Sequence, residues 1–200
     1  MTPRLALIAC AVGALSACGT GSGASQSGST TLHVTVQGAD TTIRQEVRIE
    51  STVDLTEYSQ GRLLFNRPEG GLVSGVLLSA SAVQELPSSQ LALKVAVQSS
   101  PAGLTVTGMQ AGRSARLVLT YRVRGLVDGS VLTVPMPGSI VGRWSDVEID
   151  IEEPSSHGKV SLAVGSGSKV ASSEASGRGW RYVLTGVPGG SPAVTITTLA

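Results

Sequence analysis

From Leu32 onward, apolar and polar residues alternate with a period of two, segment after segment. Leu32, Val34 and Val36 interleave with His33, Thr35 and Gln37. Ile43, Val47, Ile49 and Val53 interleave with Arg44, Glu46, Arg48, Glu50 and Asp54. The pattern recurs at Leu91, Leu93, Val95 and Val97, at Leu117, Leu119, Tyr121 and Val123, and at Val147, Ile149 and Ile151. Val160, Leu162 and Val164, then Trp180, Tyr182 and Leu184, then Val194 and Ile196 complete it, with shorter candidates at Leu104–Thr107 and Val131–Val134. One apolar and one polar face per segment marks antiparallel strands with a single buried side. Gly38-Ala39-Asp40, Asp128-Gly129-Ser130 and Pro188-Gly189-Gly190 supply turns between them. The expected fold is all-β, an antiparallel β-sandwich of the immunoglobulin-like kind. Ser79–Leu86 is the one stretch that suggests a short helix.

Ahead of this domain the pattern changes twice. Residues 5–15 form an apolar run of about 11 residues behind Arg4, too short to cross a ~30 Å bilayer as a helix. The run closes on Leu15-Ser16-Ala17-Cys18. Leu7-Ile8-Ala9-Cys10 has the same form, but too little apolar chain precedes it. Gly19–Thr31 is a Gly/Ser/Thr-rich stretch without apolar periodicity, a flexible tether of ~20 Å r.m.s. span. The division expected is a leader over 1–17, the anchor cysteine and tether over 18–31, and one domain over 32–200. Pro154–Gly158 is a possible internal boundary, but the chain beyond it is too small to be stable alone.

Leu15-Ser16-Ala17-Cys18 resembles the signal-peptide motif of bacterial lipoproteins. The resemblance implies that the Cys18 thiol carries a diacylglycerol and becomes the mature N-terminus. Two acyl chains hold a protein stably where one does so only marginally. The implied location is the cell membrane, lipid-anchored, on its extracytoplasmic side.

Composition narrows the chemistry. No cysteine follows Cys18, so the domain has no internal disulfide. Without Arg4 the 15 basic residues become 14, equal to the 14 acidic ones, which argues against nucleic acid as partner. Arginine supplies most of the positive charge. The six aromatic residues, Tyr58, Phe65, Tyr121, Trp144, Trp180 and Tyr182, must also serve the core.

The order of features from Leu32 onward is similar to the extracytoplasmic β-domain of a family of predicted bacterial membrane proteins of unknown function. Its marks here are Gln45-Glu46-Val47-Arg48-Ile49 leading to Asn66-Arg67-Pro68, then Val106-Thr107-Gly108 and Thr120-Tyr121-Arg122-Val123-Arg124-Gly125. Gly142-Arg143-Trp144, the strand from Val147 to Pro154, Trp180 to Leu184, Pro188-Gly189-Gly190 and Val194-Thr195-Ile196 follow in order. Members of that family continue into transmembrane helices, a role the lipid is expected to take here. The resemblance implies no activity for any residue.

Asp146, Glu148, Asp150 and Glu152 occupy one face of one strand, successive members ~6.7 Å apart. Each such pair repels by ~0.6 kcal/mol in water and ~2.5 kcal/mol at an effective dielectric constant near 20. A straight strand cannot converge them on one calcium, which takes 6–8 oxygens, so no metal is expected. Arg116, Arg122 and Arg124 form a matching basic stripe, and opposite charges across adjacent strands stabilise. The expectation is that these two strands are neighbours, with a protein-binding face as the alternative use of the stripes. Trp144, just ahead of the acidic strand, is the aromatic expected to be exposed, whereas Trp180 follows the apolar phase and is expected in the core. No Gly-x-Ser-x-Gly, phosphate-binding glycine loop or His-Glu-x-x-His occurs. His33 and His157 stand apart, and Gly165-Ser166-Gly167-Ser168-Lys169 reads as a turn rather than a Ser-Lys dyad.

These features point to a non-catalytic, cofactor-free module that binds or organises another envelope protein. The alternative is an envelope protein that binds or hydrolyses cell-wall carbohydrate, which calls for a cleft where Trp144 meets at least two carboxylates.

Overall fold

The computed structural model describes residues 26–60, 64–66, 72–86, 92–100, 103–138, 141–152, 160–163, 167–176, 179–189 and 193–198. The lipoprotein-like motif with Cys18, His157 and Pro154–Gly158 lie outside the described residues.

The strands are β1 (Gln26–Gln37), β2 (Asp40–Gln60), β3 (Leu64–Asn66), β4 (Leu72–Ser74), β5 (Val76–Glu85), β6 (Ala92–Ser100) and β7 (Gly103–Arg124). They continue with β8 (Val127–Asp128), β9 (Val131–Val134), β10 (Arg143–Glu152), β11 (Val160–Ala163), β12 (Lys169–Ser176), β13 (Gly179–Pro188) and β14 (Val194–Thr198). An eight-stranded sheet has the order β12-β13-β10-β1-β2-β7-β5-β6. A four-stranded sheet, β11-β14-β9-β8, packs on it, and β3 and β4 form a separate two-stranded sheet. Among the described pairings β1 with β10 is parallel and the rest are antiparallel. The fold is an all-β sandwich.

Alternation builds the core as expected. Leu32 and Val34 on β1, Ile43, Val47 and Ile49 on β2, Leu117 to Val123 at every second residue of β7, and Val147 and Ile149 on β10 are buried. They share one apolar cluster with Leu132 and Val134 of β9 and Val194 and Ile196 of β14. Strands beyond residue 158 thus enter both sheets. Gly38 (φ 64°) turns β1 into β2, and Gly129 (φ 59°) turns β8 into β9, conformations in which a side chain is strained.

Four expectations are corrected. Ser79–Leu86 is not helical, because Ser79–Glu85 lies in β5, which pairs with β7. Gln84 fixes it there: its Nε2 donates to the Gln110 carbonyl (3.0 Å) and its Oε1 accepts from the Gln110 N–H (2.7 Å). The tether ends earlier than expected, since β1 begins at Gln26 and residues 26–31 pair with β2. Gly28 and Ser29 look like linker in the sequence, yet they run beside the core, and Thr30 is buried. Val53 is 48% exposed, not core, because the pairing of β2 with β7 shifts between Glu50 and Leu55. Leu93 on the edge strand β6 is 40% exposed for want of a covering neighbour.

A polar knot sits inside the apolar layer. The buried Gln45 Nε2 donates to Thr30 Oγ1 and to Tyr58 Oη, both at 3.2 Å, and Thr30 Oγ1 donates to the Glu46 carbonyl (2.8 Å). Burial pushes the Tyr58 phenol well above its ordinary range.

Candidate interaction face

Side chains of the eight-stranded sheet that point away from the core form an open polar face. Register decides who meets whom. Asp150 lies opposite Arg181 of β13 on one side and His33 of β1 on the other, and His33 lies opposite Arg44 of β2. Glu148 faces Thr31, which faces Glu46. These positions share one face because side chains alternate along each strand.

Ion pairs knit the acidic side together. Arg181 Nε donates to Asp150 Oδ1 (2.7 Å) and Nη2 to Asp150 Oδ2 (3.3 Å), and Nε also stands 2.9 Å from Glu148 Oε1. The Asp150 hydrogen bond, then the charges of Asp150 and Glu148, raise the Arg181 guanidinium above its ordinary value. His33 Nδ1 is 3.4 Å from Asp150 Oδ2 and its Nε2 is 3.8 Å from Glu46 Oε1. Glu46 also pairs with Arg44. Asp146 and Glu152 make no ion pair among the described residues.

The basic side has its own anchor. Arg124 Nε donates to Asp40 Oδ1 (2.8 Å), and Arg122 Nε is 4.0 Å from Asp40 Oδ2. The Arg124 hydrogen bond holds the Asp40 carboxyl below its ordinary value. Arg116 lies between Arg48 of β2 and Glu85 of β5.

Two site expectations are therefore corrected. The acidic stripe Asp146, Glu148, Asp150 and Glu152 is not a neighbour of the Arg116, Arg122 and Arg124 stripe, because β1 and β2 lie between β10 and β7. At ~4.8 Å per step, the stripes stand ~14 Å apart. Trp144 is not an exposed aromatic. It is fully buried, and its Nε1 donates to the Gly138 carbonyl at 3.1 Å. It occupies the inward phase of β10, in step with Val147 one irregular turn later. Trp180 is only partly buried and packs against the core from one end.

Residues the sequence did not single out hold the face together: Arg181, Asp40 and Glu46, with His33 between two carboxylates. Their polar phase was visible, but their partners depended on strand order. Beside them lies a depression of ≈ 240 Å³ lined by His33, Thr35, Asp150, Glu152, Gly179 and Trp180. Gly179 opens it, and no larger residue fits there, since a Cβ would overlap the Ile151 carbonyl.

No family model matches the chain, and no curated protein matches it. Solved structures do. An M1 zinc metallopeptidase from Deinococcus radiodurans aligns with a TM-score of 0.50 and 12% identity, over 88% of this chain and 43% of the peptidase. Leukotriene A4 hydrolase from Saccharomyces cerevisiae aligns with a TM-score of 0.48 and 9% identity, over 84% of this chain and 28% of that enzyme. The chain spans less than half the length of either protein. At this identity the likeness to the Deinococcus structure is one of fold, and these 200 residues contain no His-Glu-x-x-His pair for zinc.

Proposed function

We propose that the protein is a non-catalytic β-sandwich, anchored through diacylglycerol on Cys18 to the outer side of a bacterial cytoplasmic membrane, which binds an envelope protein through the outward face of its eight-stranded sheet. The support for the anchor is Leu15-Ser16-Ala17-Cys18 behind its apolar run. The observation that carries the binding role is the separation of charge across the open face, acidic along β10 and basic along β7. Potentials laid out in this way give specificity and orientation to a protein partner more than raw affinity.

A wall-carbohydrate reading called for Trp144 in a cleft with carboxylates, and the burial of Trp144 takes away its aromatic wall. Among the described residues, the depression lined by Glu152 and Trp180 offers a place for a sugar. Affinity capture from membranes with the lipidated protein tests the choice. A protein recovered by the wild type and lost when Arg116 and Arg122 are changed to Glu supports the proposal. Recovery of wall glycan alone, lost on Glu152→Gln, rejects it.

A further inference from the structure

The outward face is polarised from one edge of the large sheet to the other. On β12, β13 and β10, five carboxylates (the β10 stripe and Glu174) oppose Arg181, Lys169 and Arg143, which leaves two net negative charges. On β7, β5 and β6, Arg116, Arg122, Arg124 and Lys94 oppose Glu85, which leaves three net positive charges. β1 contributes Ser29, Thr31, His33 and Thr35 between them, and β2 a mixture of both signs. The net charge on one side of the face is thus opposite in sign to that on the other.

Such a face is complementary to itself. A two-fold axis lying in the interface and running parallel to β1 and β2 sets β10 of one copy over β7 of the other, and β7 over β10. Acid then meets base at both contacts, the self-complementary patch that an isologous dimer requires. An axis at right angles to the strands sets acid on acid. The favourable axis also leaves the Gln26 end of β1 on the same side in both copies, as two chains tethered to one membrane need. We infer that this face forms a weak, salt-sensitive dimer with a second copy of the chain, an inference that rests on its being a protein-binding surface. Six strands at ~4.8 Å and seven residues at ~3.4 Å give a patch of roughly 700 Å² per copy, a little under the ~800 Å² per partner of a standard interface.

Sedimentation velocity of the full-length chain in detergent tests this at ~20 mM and ~500 mM salt, where screening lengths differ several-fold. The expected result is a monomer–dimer equilibrium at low salt, weakened at least about tenfold at high salt. The pair Asp146→Lys with Glu152→Lys, and the pair Arg116→Glu with Arg122→Glu, are each expected to be monomeric alone and to associate when mixed. Circular dichroism checks their folding, and Asp146→Asn with Glu152→Gln replaces a reversal that does not fold, with about a tenfold loss expected. A wild type that stays monomeric at low salt, or reversals that do not associate on mixing, overturns the inference. A monomeric wild type that still captures a different envelope protein through Arg116 and Arg122 overturns the dimer and leaves the proposed function standing.

Discussion

Gly28 of β1 lies directly beneath the ring of Trp144. A Cβ at position 28 would stand 2.9 Å from Trp144 Cζ3, 3.0 Å from the Arg48 carbonyl and 3.1 Å from Val141 Cγ2. What reads as the end of a linker is a strand whose missing side chain lets a tryptophan close the core. Gly28→Ala must displace backbone as well as ring, and is expected to cost ~1–3 kcal/mol. Chemical denaturation of the variant checks this. A midpoint equal to the wild type's contradicts the close packing of Trp144 on β1.

Asp150 and Arg181 form the best-defined ion pair across β10 and β13, both only part-exposed (21% and 39%). In a double-mutant cycle of Asp150→Arg, Arg181→Asp and the swap, a coupling of ~0.2–1 kcal/mol is expected. Glu148→Arg and Arg122→Glu, three strands apart, are expected to add within ~0.5 kcal/mol. Strong coupling between Glu148 and Arg122, with none between Asp150 and Arg181, contradicts the strand order.

Asp40 gives a pH signature. The hydrogen bond from Arg124 is the largest cause of its depressed ionisation, slight desolvation opposes it, and the charges of Arg124 and Arg122 add to it. The folded state therefore holds the proton less tightly than the unfolded chain, whose carboxyl titrates near 3.8. Its contribution is present above that value and is lost as pH falls through the lower, folded one. Thermal melts are expected to place Asp40→Asn slightly below the wild type at neutral pH, with the gap closing as the pH is taken below 3.8. A gap unchanged by acid contradicts the pairing.

Cys18 carries the anchor in this account. Cys18→Ser is expected to leave the membrane fraction and to lose incorporation of labelled fatty acid, since nothing then supplies the two chains that stable attachment takes. A Cys18→Ser chain that remains membrane-bound contradicts it.

Most of the sandwich was legible because a half-buried strand writes its burial into a period of two. Ile43, Leu119 and Ile149 could be assigned to the core from spacing alone. Order and register were not legible, because they depend on contacts between distant segments. Nothing in Asp146–Glu152 announces that its neighbours are the parallel β1 and the later β13. Ser79–Leu86 misleads because its alanines, Gln84 and Glu85 suit a helix, and only pairing with β7 and the grip of Gln84 on Gln110 make it a strand. Trp144 misleads because it precedes the regular alternation of its strand. On the face, the acidic and basic stripes were visible as stripes, whereas Arg181 and Asp40, which hold them, were lost among many polar residues.

The proposed binding face is best tested in cells by a photoreactive side chain at Thr31, at the centre of the face between Glu148 and Glu46, with Asp128 on the four-stranded sheet as control. The account predicts adducts to protein from position 31, lost when Arg116 and Arg122 are reversed to Glu, and few from position 128. Adducts from 128 with none from 31 would contradict it.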